Sequence, residues 1–344
     1  MSFSSNSVIA KARAVLGRSL TAEDYMQLSA KENVPDVCAY LKQTARYGKA
    51  LAAVNPQTVH RGQLEAVMRR SVFDIFESFH RFDYTESKDY FKYIVMQLEI
   101  EQILAAIQCV ASGSTDTYIA AMPMFLTEHS CIDLPALGTA GDLVEAAHIL
   151  DGSQYSSALH EPLITAAETG KLNVCECERR LYSMYYMKLL KAIEKGCKGS
   201  EKKEMKRAVL RSVDMENVVS LHRYTLFFGA DAESVKSELI PFKYRLSNEA
   251  IERLAAEKDI GKIAAELESI GYRFNSDVPS TVELLAERIS LDYLHKTLRL
   301  SQSSSVVYFA LTELLEIELK NIKTLIEGIR YGLDGAVILN MLVI

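Results

Sequence analysis

Three acid–amide pairs are the first candidates for chemistry in this chain: Glu99 with Gln102, Asp214 with Asn217, and Glu318 with Asn321. Each pair sits at i and i+3, a spacing that sets carboxylate and amide on one face of a helix. A carboxylate so placed could serve as a general acid or base if its surroundings tuned it. The flanking residues favour another role. Leu98-Glu99-Ile100-Glu101-Gln102-Ile103, Val213-Asp214-Met215-Glu216-Asn217-Val218 and Ile317-Glu318-Leu319-Lys320-Asn321-Ile322 all run apolar, acidic, apolar, charged, amide, apolar. Amides set among apolar neighbours are buried at least in part, and a buried amide must be hydrogen-bonded. We therefore expect these six residues to tie helices together, with no catalytic residue among them.

The remaining reactive residues form no recognisable site. Cys175-x-Cys177 with Cys197, and His129-x-Cys131, fit no pattern of paired zinc ligands. No His-Glu-x-x-His, phosphate-binding Gly-x4-Gly-Lys-Ser/Thr, Gly-x-Ser-x-Gly or Asp-Asp-x-x-Asp occurs, so no metal, cofactor or nucleotide is expected. Six cysteines in 344 residues are too sparse for a disulfide scaffold and suggest free thiols in a reducing compartment. A formal charge of −6 argues against nucleic acid as a partner. One basic stretch breaks that trend: Lys195, Lys198, Lys202 and Lys203, followed by Lys206 and Arg207, with Glu201 and Glu204 between them. It reads as a loop at a hairpin tip, exposed to solvent or offered to an acidic partner or anionic headgroups. The N-terminus shows no export signal, and no unbroken apolar run approaches the roughly 20 residues that span a bilayer. Both features point to a cytoplasmic protein with no membrane span.

The elements that must position these residues are helices. Prolines leave three long gaps, from Pro56 to Pro123, Pro162 to Pro241, and Pro279 to the end. An interior proline costs a helix about 3 kcal/mol, so long helices belong in those gaps. Each gap has one internal break, at Asp83–Ser87, Gly196–Ser200 and Ser301–Ser305, and so reads as two helices of an αα-hairpin. The acid–amide pattern falls on the second helix of each, followed by Gly113, Gly229 and Gly332 as stop signals and then by a short closing helix. A smaller helical section recurs before each hairpin: Asp142 precedes Tyr155 by 13 residues as Asp259 precedes Tyr272, with Asp36 and Tyr47 as the first counterpart. No strand periodicity appears. The expected fold is all-α, in three pseudo-symmetric helical repeats over 1–128, 129–243 and 244–344.

Three stretches carry a resemblance. Ala10-Lys-Ala-Arg-Ala-Val-Leu-Gly-Arg-Ser-Leu-Thr-Ala-Glu-Asp-Tyr25, Leu41-x-x-Thr44-x-x-Tyr47-Gly48, and Glu316-Ile-Glu-Leu-Lys-Asn-Ile-Lys-Thr-Leu-Ile326 before Gly332-Leu resemble the C subunit of archaeal and bacterial V-type (A-type) ATPases, whose eukaryotic relative is the d subunit of the V-ATPase. That resemblance implies a noncatalytic, funnel-shaped body of three helical repeats. It implies a place on the cytoplasmic side of the membrane proteolipid ring, where the tip of the central stalk is received and rotation is coupled to proton or sodium transport. An adaptor unrelated to rotary ATPases would present the same helices as an open solenoid. An overlooked all-α enzyme would show a buried polar pocket of perturbed ionisable groups.

Overall fold

The computed structural model describes residues 3–82, 90–274 and 277–344, leaving aside the side chains of residues 3, 4, 82 and 228. Among these residues the chain forms α-helices and no strand. The first part comprises α1 (Phe3–Leu16), α2 (Ala22–Ser29), α3 (Val34–Leu41), α4 (Arg61–Phe82), α5 (Phe91–Ser112) and α6 (Thr115–Ala121). The middle holds α7 (Leu134–Gly138), α8 (Leu143–Leu150), α9 (Ser156–Thr169), α10 (Val174–Gly196), α11 (Gly199–Phe228) and α12 (Ala232–Glu238). The last part holds α13 (Asn248–Ala256), α14 (Ile260–Ser269), α15 (Val282–Leu300), α16 (Ser304–Arg330) and α17 (Gly335–Asn340).

The stop and start signals work as their chemistry requires. Gly113, Gly229 and Gly332 each adopt positive φ, at 68°, 61° and 67°, a conformation that costs any other residue a steric penalty. Asn33, Asp142 and Asp259 cap α3, α8 and α14 by accepting the N–H three residues on. Asp36, the sequence counterpart of Asp142 and Asp259, lies one turn into α3 and donates its N–H to the Asn33 cap, which stands 14 residues before Tyr47. The break at 83–87 lies outside the described residues.

The chain divides into two compact units. One comprises 89–197 and 238–242, in which α10 lies along α5 and α9, and the Tyr93 hydroxyl donates to the Lys188 carbonyl at 3.2 Å. The other comprises 1–88, 198–237 and 243–344, with α16 at its centre. From Ser304 to Thr312 every residue of α16 is buried, whichever way its side chain points, because α1, α4, α11 and α15 pack around it. The unit joins the two ends of the chain: Leu28, Leu41, Tyr47 and Leu51 share a core with Leu319, Ile322 and Ile326.

Candidate functional site

All six residues of the acid–amide pattern are buried, and each carboxylate is the focus of a converging set of donors. In the unit built on α5, Glu99 Oε1 accepts from the Cys131 N–H at 2.6 Å and the Ser130 hydroxyl at 2.7 Å, and Oε2 from the Tyr155 hydroxyl at 2.5 Å. In the larger unit, Asp214 on α11 accepts from the N–H groups of Tyr244, Arg245 and Leu246 at 3.0, 2.7 and 3.1 Å and from the Tyr272 hydroxyl at 2.5 Å. Glu318 on α16 accepts from the Leu20 N–H at 3.0 Å, Arg46 Nε at 3.0 Å and the Tyr47 hydroxyl at 2.7 Å. Burial, reinforced by the adjacent carboxylate, pushes all three tyrosines far above the ordinary phenol range, so each keeps its proton and donates.

The tyrosine partners are the part that sequence reasoning missed. The repeat spacing matches the tyrosines to one another as columns of the small section, but not to the acids. The signal was present, since Tyr155 and Tyr272 follow Glu99 and Asp214 by 56 and 58 residues. The third acid reaches back 271 residues to Tyr47, so only a cyclic reading of the repeat would have exposed the pairing. The third latch also differs in chemistry, because Arg46, 5% exposed, pairs with Glu318; an arginine over the tyrosine ring is shared with the second latch, Arg46 over Tyr47 at 4.7 Å and Arg211 over Tyr272 at 4.5 Å. Of the amides, Asn321 grips the C-terminal segment in both directions: Nδ2 donates to the Val343 carbonyl at 2.6 Å, and Oδ1 accepts from its N–H at 2.9 Å. Gln102 and Asn217 are buried on their own helices. Chemically, each carboxylate has backbone and side-chain donors converging on it, an arrangement that fixes a loop against a long helix.

The cysteine and histidine candidates are dispersed. His129 packs edge-on against Phe91 at 5.6 Å, and the N–H of Cys131 belongs to the Glu99 latch. Cys177 and Cys197 are buried and Cys175 is exposed. The basic stretch is not a loop. Helix α10 continues through Lys195 to Gly196, and α11 begins at Gly199, so Lys202, Lys203, Lys206 and Arg207 lie on helix. Lysine and glutamate are good helix formers, and two linking residues suffice for the turn.

In the larger unit, α11 and α16 run parallel with α15 antiparallel to both. At one end the Ser301 and Ser303 hydroxyls donate to Glu204 and Glu201 at 2.8 and 2.9 Å, and at the other Arg223 meets Glu283 at 3.1 Å. The two ends differ in character. Where α11 and α16 finish, Leu226, Phe227, Tyr331 and Leu333 are exposed, with Phe227 73% and Tyr331 69% accessible; Val337 and Met341, on and just after α17, are exposed as well. In the other unit α5 is likewise followed by exposed apolar residues, Ile119 and Met124. Exposed apolar residues that gather at helix ends are candidates for an interaction surface. Helix α5 is itself long and apolar enough to cross a bilayer, although half of its most apolar window is buried within its unit and Glu99 is latched there.

The described residues form an all-α body, and its likeness to known proteins places it within one family. The model of the ATP synthase (C/AC39) subunit family matches residues 8–341, and the chain belongs to that family. It is similar to the C subunit of the A-type ATP synthase of Thermococcus kodakarensis, 22% identical over 335 residues that cover 96% of this chain and 87% of the relative. The corresponding C subunit of Pyrococcus furiosus is 22% identical over 291 residues, 84% of this chain and 74% of that one.

Proposed function

We propose that this chain is a noncatalytic rotor subunit of an A-type ATP synthase or ATPase, seated peripherally on the cytoplasmic side of the membrane and coupling the central shaft to the proteolipid ring. The observation that carries the reading is the exposed apolar surface that follows each second long helix: Ile119 and Met124 after α5, Leu226 and Phe227 on α11, and Tyr331, Leu333, Val337 and Met341 after α16. Exposed apolar ends of this kind suit docking on apolar proteins, whereas a lone soluble chain gains nothing by exposing them. The acid–amide residues are the frame that holds those ends. Each latch joins a second long helix to the small section that follows it, the last one passing from α16 to the chain's own beginning. Proton or sodium transport belongs to the ring, and nucleotide chemistry to other subunits.

The test is site-specific photo-crosslinking. A crosslinker at Phe227, Val337 or Met341 should capture ring proteolipids in native membranes, and one at exposed Lys49 should not. Equal yields at both positions, or capture of no proteolipid, would refute the docking.

A further inference from the structure

The other end of the larger unit carries a charge pattern that the fold does not need. Lys198, Lys203 and Arg207 on or just before α11, and Lys296 and Arg299 near the end of α15, are exposed, and none has an ion-pair or hydrogen-bond partner among the described residues. The two acids that interrupt the basic run in sequence offset it only in part: Glu201 and Glu204 are turned to the hydroxyls of Ser303 and Ser301, and two carboxylates stand against five exposed cations. Helix electrostatics do not account for it either. Cations are disfavoured at a helix N-terminus, yet Lys198 is the N-cap of α11 with no side-chain cap, and Lys202 and Lys203 follow within its first turns. At the C-terminus of α15 cations are favourable, but Arg13 already serves its carbonyls, donating to Leu298 O at 3.2 Å and Ser301 O at 2.9 Å. The five free cations thus gather where two antiparallel helices meet, on a chain of net charge −6.

We infer that this corner is a docking surface for an acidic segment of a partner protein. The inference rests on the proposed seating of the apolar ends at the membrane. Helix α11 has 30 residues, so its basic start lies roughly 45 Å from its apolar finish, several Debye lengths away. With the apolar ends on the ring, the basic corner faces away from the bilayer, out of reach of anionic headgroups and toward the soluble part of the machine. Such a contact sets encounter rate and orientation more than total affinity.

The experiment measures binding of the full-length protein to the soluble head-and-shaft assembly of the same ATPase, purified without this subunit, at 50 and 200 mM KCl. The variant Lys198→Glu/Lys203→Glu/Arg207→Glu is compared with Lys49→Glu/Lys171→Glu/Lys258→Glu, which makes the same change in net charge at other exposed sites. Circular dichroism and urea midpoints check that each variant is folded. Expected are a salt-sensitive wild type, an association rate at least tenfold lower for the first variant with a flattened salt dependence, and less than a twofold change for the second. Equal loss in both variants, no loss in the first, or salt-insensitive wild-type binding would overturn the inference. Tight binding of the wild type to phosphatidylglycerol vesicles, with none to the assembly, would overturn it in favour of a lipid. If the wild type binds ring-bearing membranes while the first variant binds the assembly unchanged, this inference fails and the coupling role stands. Wild type that binds neither sinks both.

Discussion

Replacing Glu318 by glutamine should cost more than replacing Glu99 by glutamine, although the two changes are identical on paper. In the α5 unit Glu99 holds three neutral donors. A glutamine keeps one acceptor oxygen there, and the Tyr155 hydroxyl can turn to accept from the new amide. The loss is that of charge-assisted hydrogen bonds, about 1.5–3 kcal/mol. Glu318 also neutralises Arg46, whose side chain is 5% exposed and has a second nitrogen, Nη2, buried with no hydrogen-bond partner among the described residues. Removing the carboxylate leaves a buried charge without its counter-ion, a loss of about 3–5 kcal/mol and a large part of a typical domain's stability. Hydrogen exchange read by mass spectrometry on α5 and α16 peptides gives the opening free energy of each unit separately. Adding Arg46→Met to Glu318→Gln should restore at least about 1.5 kcal/mol relative to additivity. Equal costs at the two sites, or strict additivity in the double variant, would refute the reasoning from unpaired charge.

Glu313 on α16 makes stability fall as pH rises. Burial raises its carboxyl to about 7 from an ordinary value near 4.5, so the folded state holds this proton through a window in which the unfolded chain has released it. Between about pH 4.5 and 7 this group progressively withdraws roughly 3 kcal/mol of stability, and Glu313→Gln should flatten urea midpoints measured from pH 5 to 8 and stabilise the protein at pH 8. Gly328→Ala should cost about 1–3 kcal/mol, because a Cβ there would stand 2.7 Å from Ile338 Cγ1 and push α17 off α16; protection of the α17 amides reports it. Asn321→Leu removes both bonds to Val343 and leaves its buried N–H and carbonyl unmatched, so the C-terminal segment should become protease-sensitive while α5 keeps its protection.

Much of this was legible because helices are punctuated locally. The proline gaps enclosed all six long helices, and Gly113, Gly229 and Gly332 marked where the second helix of each pair ends, since a single left-handed residue announces itself by type. The acid–amide residues were legible as buried from their apolar neighbours, and the three acids and Asn321 are bonded as that burial requires; the tyrosine partners were harder to find, because the offset of 56 and 58 residues recurs only twice and the third pair spans 271 residues. Lys195 to Arg207 misled for a different reason. Two glycines and a dense run of charge look like a loop, whereas charge on a good helix former is equally a solvated helix face. The division into compact units was also beyond reach. It cuts between α10 and α11, at a link of two residues, because packing rather than sequence adjacency decides which helices share a core.

The most direct test of the central claim is to purify the tagged chain from gently solubilised membranes and identify what comes with it by mass spectrometry. The coupling role predicts the ring proteolipids together with the shaft subunits in one assembly, and loss of the proteolipids alone when Phe227, Val337 and Met341 on the exposed apolar ends are changed to glutamate. Recovery of the chain as a free monomer from cells that contain an intact ring would contradict it.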